Sequence, residues 1–376
     1  MSKLNDWLRG VRVLDLSKFL PGPMAGMLLA DMGAEVLKIE PPTGDEMREL
    51  GPRDELGEPV FYGAVNAGKT VRRMNLKDLE GRAEFLKLVT HADVLLETFR
   101  PGVMSKLGLG WDVLRATNPR LVYCALSGYG ATGPLAGAAG HDANYLGMAG
   151  ILHRQMGGTA HYFDPPLADN AGALFAVIAI LGALRARDRD GSGCAIDLGL
   201  ADAVMPLQTF QVADYGARRY SPGPDETYLN GGAAWYRVYS TRDDRHVALG
   251  AAERKFWRRF CEAAQHREWI ERGSEPMPQY ALIGEVQALF AGLTLAECVA
   301  RFDPADCCFS PVLTLAEALQ SDQCLERKLV RRAPDGVLQA LFPAWVDGEP
   351  PATRPGLRTG GAGFERSASN LASRAR

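Results

Sequence analysis

His141 and Asp169 are the two side chains of this chain whose types best suit the exchange of a proton near neutral pH. His141 lies in the segment GHDANY at 140–145, and Asp169 follows in the segment PPLADN at 165–170. On opposite faces of an acidic carbon, a histidine and a carboxylate could remove a proton from one side and return one to the other. This pair would suit a cofactor-independent racemase or epimerase, although the two residue types also occur at such a spacing by chance.

The composition argues against several classes of function. A formal net charge of −3 over 376 residues gives no basic field for nucleic acid or an anionic membrane. The longest apolar run, 171–184, is interrupted by glycines and is shorter than the ~20 residues of a membrane span. No secretory signal is visible, and the seven cysteines form no Cys-x-x-Cys pair. We therefore expect a cytoplasmic protein with reduced thiols. We also expect no metal site, because the six histidines include no His-x-x-x-His pair.

Strands and helices alternate along the first two hundred residues, which predicts an α/β fold with a mostly parallel sheet covered on both faces. Strands are predicted at 11–17, 34–40, 71–76, 92–97 and 121–126, with helices at 24–32, 79–90 and 111–117. The glycine pattern GxGxxG of dinucleotide-binding proteins does not follow the first strand, where GPMAG stands at 22–26. A standard dinucleotide site is therefore not expected.

The pattern changes near residue 205 to mixed α and β structure. We predict a large α/β domain at 1–204, a small α+β domain at 205–320, and a return segment to the large domain with a flexible tail at 321–376. Within the small domain, a hairpin is predicted around 241–245, with helices at 255–264, 283–290 and 294–302. The tail from Asp347 is rich in proline, glycine, serine and arginine, which predicts a loosely held segment.

A series of motifs occurs in order along the chain. They are FLPGP at 19–23, LADMGAEVLKIEP at 29–41, GDEMR at 44–48, NAGK at 66–69, NLK at 75–77, FRPG at 99–102, NPRLVY at 118–123 and SGYGATGP at 127–134. Together they resemble the family III CoA-transferases, a family that contains both acyl-CoA transferases and α-methylacyl-CoA racemases. The resemblance covers about residues 8–345. It implies a Rossmann-like large domain, a smaller domain and an interlocked homodimer with the active site between subunits. Coenzyme A, as part of the substrate, is the only cofactor implied.

Three places favour the racemase branch of that family. They are GHDANY at 140–145, LNGGA at 229–233 with Tyr236, and ALGAAERKFW at 248–257. By resemblance, His141 and Asp169 match the two proton-transfer residues, and Glu253 matches a supporting carboxylate near the histidine. For Glu253, a salt bridge with the basic side chains that follow it is an equal alternative. For His141, the alternative is a buried histidine satisfied by Asp142 or by a main-chain carbonyl.

Asp169 is expected to cap a helix over 171–187, where the helix N-terminus would keep its carboxylate ionised. Main-chain N–H groups at the same helix start are candidates to stabilise an enolate oxygen. An ordinary helix cap is the alternative role for Asp169. Two departures from the family pattern are Thr98, where asparagine is more frequent, and Asn170-Ala171 directly after the aspartate.

Lys38, Lys69 and Arg100 are the candidates to bind the phosphates of coenzyme A, because they lie at predicted strand ends or in the loops that follow. By resemblance Arg100, in the FRPG motif, is the best of the three. An ordinary surface charge is the alternative for each of them. We favour that alternative for Arg72 and Arg73.

The pattern as a whole indicates a racemase or epimerase of 2-methylacyl-CoA thioesters that works by 1,1-proton transfer through an enolate. The alternative is an acyl-CoA:carboxylate CoA-transferase in which Asp169 acts as a nucleophile and forms an aspartyl anhydride. A third interpretation, from a different class, is a CoA-binding protein without turnover. Partners other than the acyl-CoA and a second copy of the chain are not expected, and neither nucleic acid nor a membrane is among them.

Overall fold

The chain forms two compact units, of which the larger contains residues Met1–Ala149, Phe163–Thr209 and Asp322–Arg376. The smaller unit contains Gly150–Tyr162 and Phe210–Ser321. The computed structural model describes residues 3–155, 162–360 and Phe364. The predicted large domain at 1–204 therefore includes one excursion, Gly150–Tyr162, that belongs to the smaller unit.

A parallel sheet forms the centre of the larger unit. Its strands in the described part of the chain are β1 (Arg12–Asp15), β2 (Glu35–Glu40), β3 (Thr70–Arg73), β4 (Val94–Glu97), β5 (Val122–Ser127), β6 (Cys194–Gly199) and β12 (Arg358–Thr359). Their spatial order is β12-β3-β2-β1-β4-β5-β6, and every neighbouring pair is parallel. The order 3-2-1-4-5-6 is that of a doubly wound, Rossmann-like sheet. The predicted fold class is confirmed.

The central strands β1 and β4 are buried along their whole length, as parallel strands covered on both faces are. Val13 and Leu14 of β1 and Val94 and Leu95 of β4 are completely buried. The helices of the larger unit are α1 (Pro21–Asp31), α2 (Val60–Asn66), α3 (Leu79–Val89), α4 (Val103–Lys106), α5 (Trp111–Thr117), α6 (Asp142–Met148), α7 (Leu167–Asp190), α8 (Leu200–Ala203) and α15 (Asp322–Glu326).

Helix α1 begins earlier than the sequence predicts. The sequence predicts a helix from residue 24, after the two prolines Pro21 and Pro23, but the helix starts at Pro21. The first N–H groups of a helix have no partner within it, so a proline there loses no hydrogen bond, and its fixed φ suits the helix. The proline motif therefore starts this helix instead of preceding it.

Helix α7 is longer than the predicted 171–187. In the described part of the chain, it is the one helix that is long and apolar enough to cross a membrane by length and composition. The helices Tyr280–Ala291 and Leu295–Ala305 reach that length and hydropathy only if the bent pair is counted as one span. Core helices of soluble proteins pass the same test. Helix α7 packs against α1, α6, β5 and β6. We interpret it as a helix that covers one face of the sheet.

The smaller unit is an α+β structure around an aromatic core. Its strands β7 (Tyr236–Ser240), β8 (His246–Gly250) and β9 (Phe309–Pro311) form an antiparallel sheet, and the predicted hairpin at 241–245 is confirmed. Its helices are α9 (Thr209–Arg218), α10 (Arg254–Ala264), α11 (Trp269–Arg272), α12 (Tyr280–Ala291), α13 (Leu295–Phe302) and α14 (Leu315–Gln320). Phe260 lies at the centre of the core, with its ring centroid 5.4 Å from that of Trp257 and 5.2 Å from that of Phe302.

The segment after Asp322 packs onto the larger unit. It forms an antiparallel pair, β10 (Val330–Arg332) and β11 (Leu338–Ala340), and then contributes β12 to the edge of the parallel sheet. Arg354 is buried, and its Nε and Nη2 each donate to a carboxylate oxygen of Asp31 in α1 at 2.7 Å. The prediction of a loosely held tail from Asp347 is therefore wrong up to residue 360. Residues 361–363 and 365–376 of that tail lie outside the described residues.

We predict that Arg354→Met lowers the free energy of unfolding by about 3–5 kcal/mol, because it leaves the buried carboxylate of Asp31 without its partner. Burial already raises the pKa of Asp31. Arg189→Met is the matched control, since Arg189 forms an exposed ion pair with Asp190. Urea denaturation at pH 7 measures both variants. Equal midpoints for the two variants would show that the Asp31 pair does not hold the return segment.

Candidate active site

A cavity of about 350 Å³ lies at the carboxyl ends of β1 and β4. The strand order reverses between these two strands, because the chain adds β2 and β3 on one side of β1 and β5 and β6 on the far side of β4. Open parallel sheets bind ligands in the crevice at such a point. Lys18 and Phe19, which follow β1, and Thr98 and Arg100, which follow β4, line this cavity.

Helix α6 places His141 at the wall of the cavity. The main-chain N–H of His141 donates to Oδ1 of Asn144 at 3.0 Å, and its carbonyl accepts the N–H of Asn144 at 2.8 Å. These contacts fix the backbone, while the side chain of His141 is exposed and lines the cavity. The alternative of a buried histidine satisfied by Asp142 is wrong. The exposed imidazole is free to exchange protons with a bound molecule.

Tyr145 supports the loop that leads to His141. Its hydroxyl donates to the carbonyl of Gly140 at 2.5 Å, and its ring stands edge-on to Tyr129 with centroids 5.2 Å apart. Burial, followed by the nearby charge of Asp169, raises the pKa of Tyr145 to about 12. Tyr145 therefore stays protonated near neutral pH and keeps this hydrogen bond.

Asp169 lies inside the first turn of α7 and does not cap it. The helix starts at Leu167, and the capping position belongs to Pro166. The carboxylate that serves the helix start is that of Asp142, whose Oδ1 accepts the N–H of Ala168 at 2.6 Å and that of Asp169 at 3.1 Å. The prediction of an Asp169 cap is therefore wrong. These two N–H groups are also already bonded, so they do not offer free donors for an enolate oxygen.

The carboxyl group of Asp169 is less acidic than the sequence predicts. Burial, and then the negative charge of Asp142, raise the pKa of Asp169 to about 6, and the neighbouring His141 lowers it in part. The helix N-terminus was expected to favour the ionised carboxylate, but burial and the charge of Asp142 outweigh that effect and raise the pKa of Asp169. A carboxyl with a pKa near 6 can both accept and donate a proton near neutral pH.

Asp169 and His141 line the same cavity. The structure thus brings together the two residues that the sequence singled out for proton transfer. Perturbed carboxyl groups beside a histidine in a cleft are typical of functional sites. The cavity is also lined by the small residues Ala136, Ala138 and Ala139.

Lys69 is a core residue and not a surface cation. Its side chain is fully buried, and its Nζ donates to Oδ2 of Asp15 at 2.8 Å, to the carbonyl of Pro23 at 2.8 Å and to Oδ1 of Asn66 at 2.9 Å. Burial lowers the pKa of Lys69 to about 8, against the attraction of Asp15. All three ammonium protons have partners, so the prediction that Lys69 binds a phosphate is wrong.

Lys38 is also buried, which the sequence did not predict. Its Nζ lies 2.9 Å from Oδ2 of Asp45 and donates to the carbonyl of Ser17 at 2.7 Å. Lys38 lines a second cavity, of about 320 Å³, at the same edge of the sheet. Its charge is neutralised within the protein, so contact with a phosphate would require Asp45 to be displaced.

Arg100 is the predicted phosphate ligand that the structure leaves available. Its side chain is exposed and lines the 350 Å³ cavity. Lys18 and Phe99 line both this cavity and the second one, so the two cavities share a wall. The N–H of Lys18 donates to the hydroxyl of Thr98 at 2.8 Å, which ties together the loops after β1 and β4.

Glu253 belongs to the smaller unit, at the N-terminus of α10. Its side chain is exposed. Two of the basic residues that follow it pair elsewhere, Arg254 with Glu271 and Arg259 with Asp306. The interpretation of Glu253 as their salt-bridge partner is therefore not supported, and its role beside His141 stays a prediction. Among the described residues, no cluster of three or more histidine, cysteine, aspartate or glutamate side chains could hold a metal ion.

Two residues of the site, Asp142 and Phe19, have roles that the sequence does not show. Asp142 directly follows His141 in the motif, but nothing in the sequence shows that it reaches the start of α7. Phe19 lies before the first helix, and its backbone φ of 62° cannot be read from the sequence. Both roles depend on contacts between distant segments.

The fold and the cavity define a doubly wound α/β protein with an acid–base pair at the strand reversal. The chain belongs to CoA-transferase family III, whose family model matches residues 8–357. The predicted family is thereby confirmed.

Relatives of known activity fall into both branches. The alpha-methylacyl-CoA racemase of Mus musculus is 34% identical over 85% of this chain and 81% of that protein. The acetyl-CoA:oxalate CoA-transferase of Acetobacter aceti is 32% identical over 92% of this chain and 91% of that protein. A crystal structure of a CAIB/BAIF family protein from Brucella suis matches with a TM-score of 0.81 and 28% identity, over 97% of this chain and 98% of that one. The comparisons show the family and the fold, and they include both reactions.

We predict that the carboxyl group of Asp169 titrates near pH 6, and that Asp142→Asn lowers this midpoint. Asparagine keeps an oxygen for the N–H groups of Ala168 and Asp169 but removes the negative charge beside Asp169. Carbon-13 NMR of the labelled carboxyl groups measures the midpoint. Asp78→Asn is the control, because Asp78 caps α3 in the same way at a distance from the site. A midpoint unchanged by Asp142→Asn would contradict the repulsion between the two carboxylates.

Proposed function

We propose that this protein is an acyl-CoA racemase or epimerase that inverts the α-carbon of 2-methylacyl-CoA thioesters by 1,1-proton transfer through an enolate. The observation that carries the proposal is the shared cavity of His141 and Asp169, in which the pKa of Asp169 is raised to about 6. A carboxyl group with this pKa can take up and release a proton close to pH 7, beside an imidazole in the same cavity, as reversible acid–base catalysis at one carbon requires.

In the proposed reaction one of the two residues takes the proton from the α-carbon, and the electron pair moves into the thioester carbonyl to give an enolate. The other residue then donates a proton to the opposite face, and the carbonyl re-forms with inverted configuration. In the reverse direction the two residues exchange roles. An α-proton next to a thioester is more acidic than one next to an ester or amide, which makes a CoA thioester a suitable substrate for this pair.

The position of the coenzyme A moiety is proposed from the two adjoining cavities. Lys18 and Phe99 form their common wall, so an elongated molecule could occupy both. With the acyl end beside His141 and Asp169, the coenzyme A moiety would extend along this common wall toward the 320 Å³ cavity. Arg100 is exposed at the first cavity and is the proposed partner of a phosphate group. No other cofactor is proposed.

A CoA-transferase is the second candidate function, because transferase relatives match this chain over as much of its length as the racemases do. In that reaction the carboxylate of Asp169 would attack the thioester carbonyl and the C–S bond would break. The CoA thiolate would depart, and the acyl group would remain on Asp169 as an aspartyl anhydride. A nucleophile requires the ionised carboxylate, which predominates above pH 6. His141 would then have no part in the chemistry.

A homodimer is proposed from the outer face of α7. Leu174 and Ile178 lie one turn apart on this helix and are 50% and 61% exposed. Exposed apolar side chains on neighbouring turns of one helix face are typical of a surface that another protein chain covers. We propose that a second copy of the chain covers them, as the interlocked assembly implied by the family would. We further propose that the protein acts in the cytoplasm, where cysteines stay reduced.

We predict that the protein incorporates deuterium from heavy water at the α-carbon of 2-methylacyl-CoA without any acceptor acid. Proton removal and return both exchange with solvent in a two-base mechanism. Mass spectrometry of a panel of 2-methylacyl-CoA thioesters measures the incorporation. Acceptor-dependent CoA transfer without deuterium incorporation would contradict the racemase proposal and support the transferase.

Substitutions separate the roles of the residues in this reaction. His141→Ala and Asp169→Ala should each lower turnover by ~10²–10⁴-fold, the usual contribution of a positioned general base. Arg100→Ala is the contrasting variant, and it should raise KM with little change in kcat because it removes binding that is equal in the ground and transition states. In a transferase, Asp169→Ala would abolish turnover, whereas His141→Ala would leave it close to that of the wild type. Hydroxylamine would also trap an acyl-enzyme.

We predict a dimeric mass near twice 40.7 kDa at nanomolar concentration, because interlocked chains do not dissociate without unfolding. Mass photometry measures this. The double substitution Leu174→Asp, Ile178→Asp should reduce the dimer, since it buries two charges in the interface. Leu79→Asp is the control, because Leu79 is a 78% exposed leucine at the start of α3. A folded, active monomer of the unmodified protein would contradict the proposed assembly.

A further inference from the structure

Phe19 has a backbone conformation that side chains rarely adopt. Its φ is 62°, in the left-handed region that favours glycine and, to a lesser degree, asparagine and aspartate. Its ring is also 40% exposed, where it lines the 350 Å³ cavity. A strained backbone persists only where the surrounding structure fixes it, and such residues cluster at functional sites. Phe19 therefore requires an explanation beyond a simple turn.

The backbone is fixed on the side that precedes Phe19. The N–H of Ser17 donates to Oδ1 of Asp15 at 2.9 Å, and the N–H of Lys18 donates to the hydroxyl of Thr98 at 2.8 Å. Asp15 is itself buried and held by Lys69. The two residues before Phe19 are thus anchored to the ends of β1 and β4.

The backbone is also fixed on the side that follows Phe19. Helix α1 begins two residues later at Pro21, whose ring restricts φ. The carbonyl of Pro23, in the first turn of that helix, accepts a hydrogen bond from Lys69 at 2.8 Å. The same buried ammonium group therefore anchors the chain before Phe19, through Asp15, and after it, through Pro23. The strained conformation is held from both ends.

The ring of Phe19 meets the imidazole of His141. Their centroids are 6.4 Å apart, and the two ring planes are nearly perpendicular, at 88°. The main-chain groups of His141 are bonded within α6, but its side chain is exposed to the cavity. An adjacent rigid ring restricts the rotation of such a side chain, and accurate placement of a catalytic base strongly affects its efficiency.

We propose that Phe19 is a positioning residue that holds the imidazole of His141 in the orientation required for proton exchange with the substrate. The inference rests on the proposed function, in which His141 is one of two bases. It assigns to the buried Asp15–Lys69 pair an indirect role, since this pair fixes the backbone of Phe19. Phe19 itself exchanges no proton.

The test uses the full-length protein and the exchange of the α-proton in heavy water from each enantiomer of one 2-methylacyl-CoA, measured at early times. His141 and Asp169 face opposite sides of the carbon in the proposed mechanism, so His141→Ala should slow exchange from one enantiomer and Asp169→Ala from the other. Phe19→Leu should slow exchange from the same enantiomer as His141→Ala, by about tenfold or more, with exchange from the other enantiomer unchanged. Phe19→Tyr keeps the ring and should restore the wild-type ratio.

A spectroscopic measurement tests the contact without activity. In protein labelled at histidine, the imidazole proton resonances of His141, assigned by their loss in His141→Ala, should carry a ring-current shift from Phe19. Phe19→Leu should remove this shift, and Phe19→Tyr should retain it. Phe19→Gly controls for folding, because glycine adopts the observed φ without strain and should leave the thermal midpoint unchanged or raised.

The outcomes separate this inference from the proposed function. The positioning role of Phe19 would be overturned if Phe19→Leu slowed exchange from both enantiomers equally, or slowed neither. If His141→Ala still slowed exchange from one enantiomer selectively, the proposed function would stand. Exchange from both enantiomers unaffected by His141→Ala would overturn the proposed function, and with it any role of Phe19 in catalysis.

Discussion

The ammonium group of Lys69 donates its protons to the carboxylate of Asp15, to the side chain of Asn66 and to the main chain at Pro23. A buried charge is costly unless each of its protons has a partner, and here every one has. Although burial alone would raise it, Lys69 and then Lys38 hold the pKa of Asp15 below its usual range. This single group fixes the end of β1, the start of α1 and the turn before β3. The loop that carries Phe19 over the cavity depends on it.

A second carboxylate, that of Asp142, affects both the stability of the fold and the acidity of Asp169. Asp142 satisfies the N–H groups at the start of α7, which favours that helix, and it also repels the charge of Asp169. Because the folded chain holds the proton of Asp169 more tightly, this group favours folding below its ordinary pKa of 3.8, and that contribution is lost as the pH rises through about 6. The shift corresponds to a cost of about 3 kcal/mol at higher pH. This loss of folding free energy arises from Asp169, the residue that must exchange a proton near neutral pH in the proposed reaction.

Several features of the fold were readable from the sequence because they depend on local pattern. The helix at 111–117 agrees with the prediction in both bounds, and the hairpin of β7 and β8 lies where its turn residues indicated. Errors arose where a distant segment decided the outcome. Helix α7 starts at Leu167 since Asp142 caps it, and Asn170 reinforces this start by donating its amide to the carbonyl of Pro166 at 2.6 Å. The tail is ordered at Arg354 because Asp31 lies beneath it.

The sequence by itself determined the parallel α/β fold, the family, and the choice of His141 and Asp169, because apolar periodicity and ordered motifs are properties of the chain alone. Only the tertiary structure decided the environment of each charge. Lys69 reads as a surface cation in the sequence and is buried with three partners in the fold. The pKa of Asp169 moved upward because burial and Asp142 act through space. Desolvation and Coulomb interaction depend on distances between residues that the linear order does not contain.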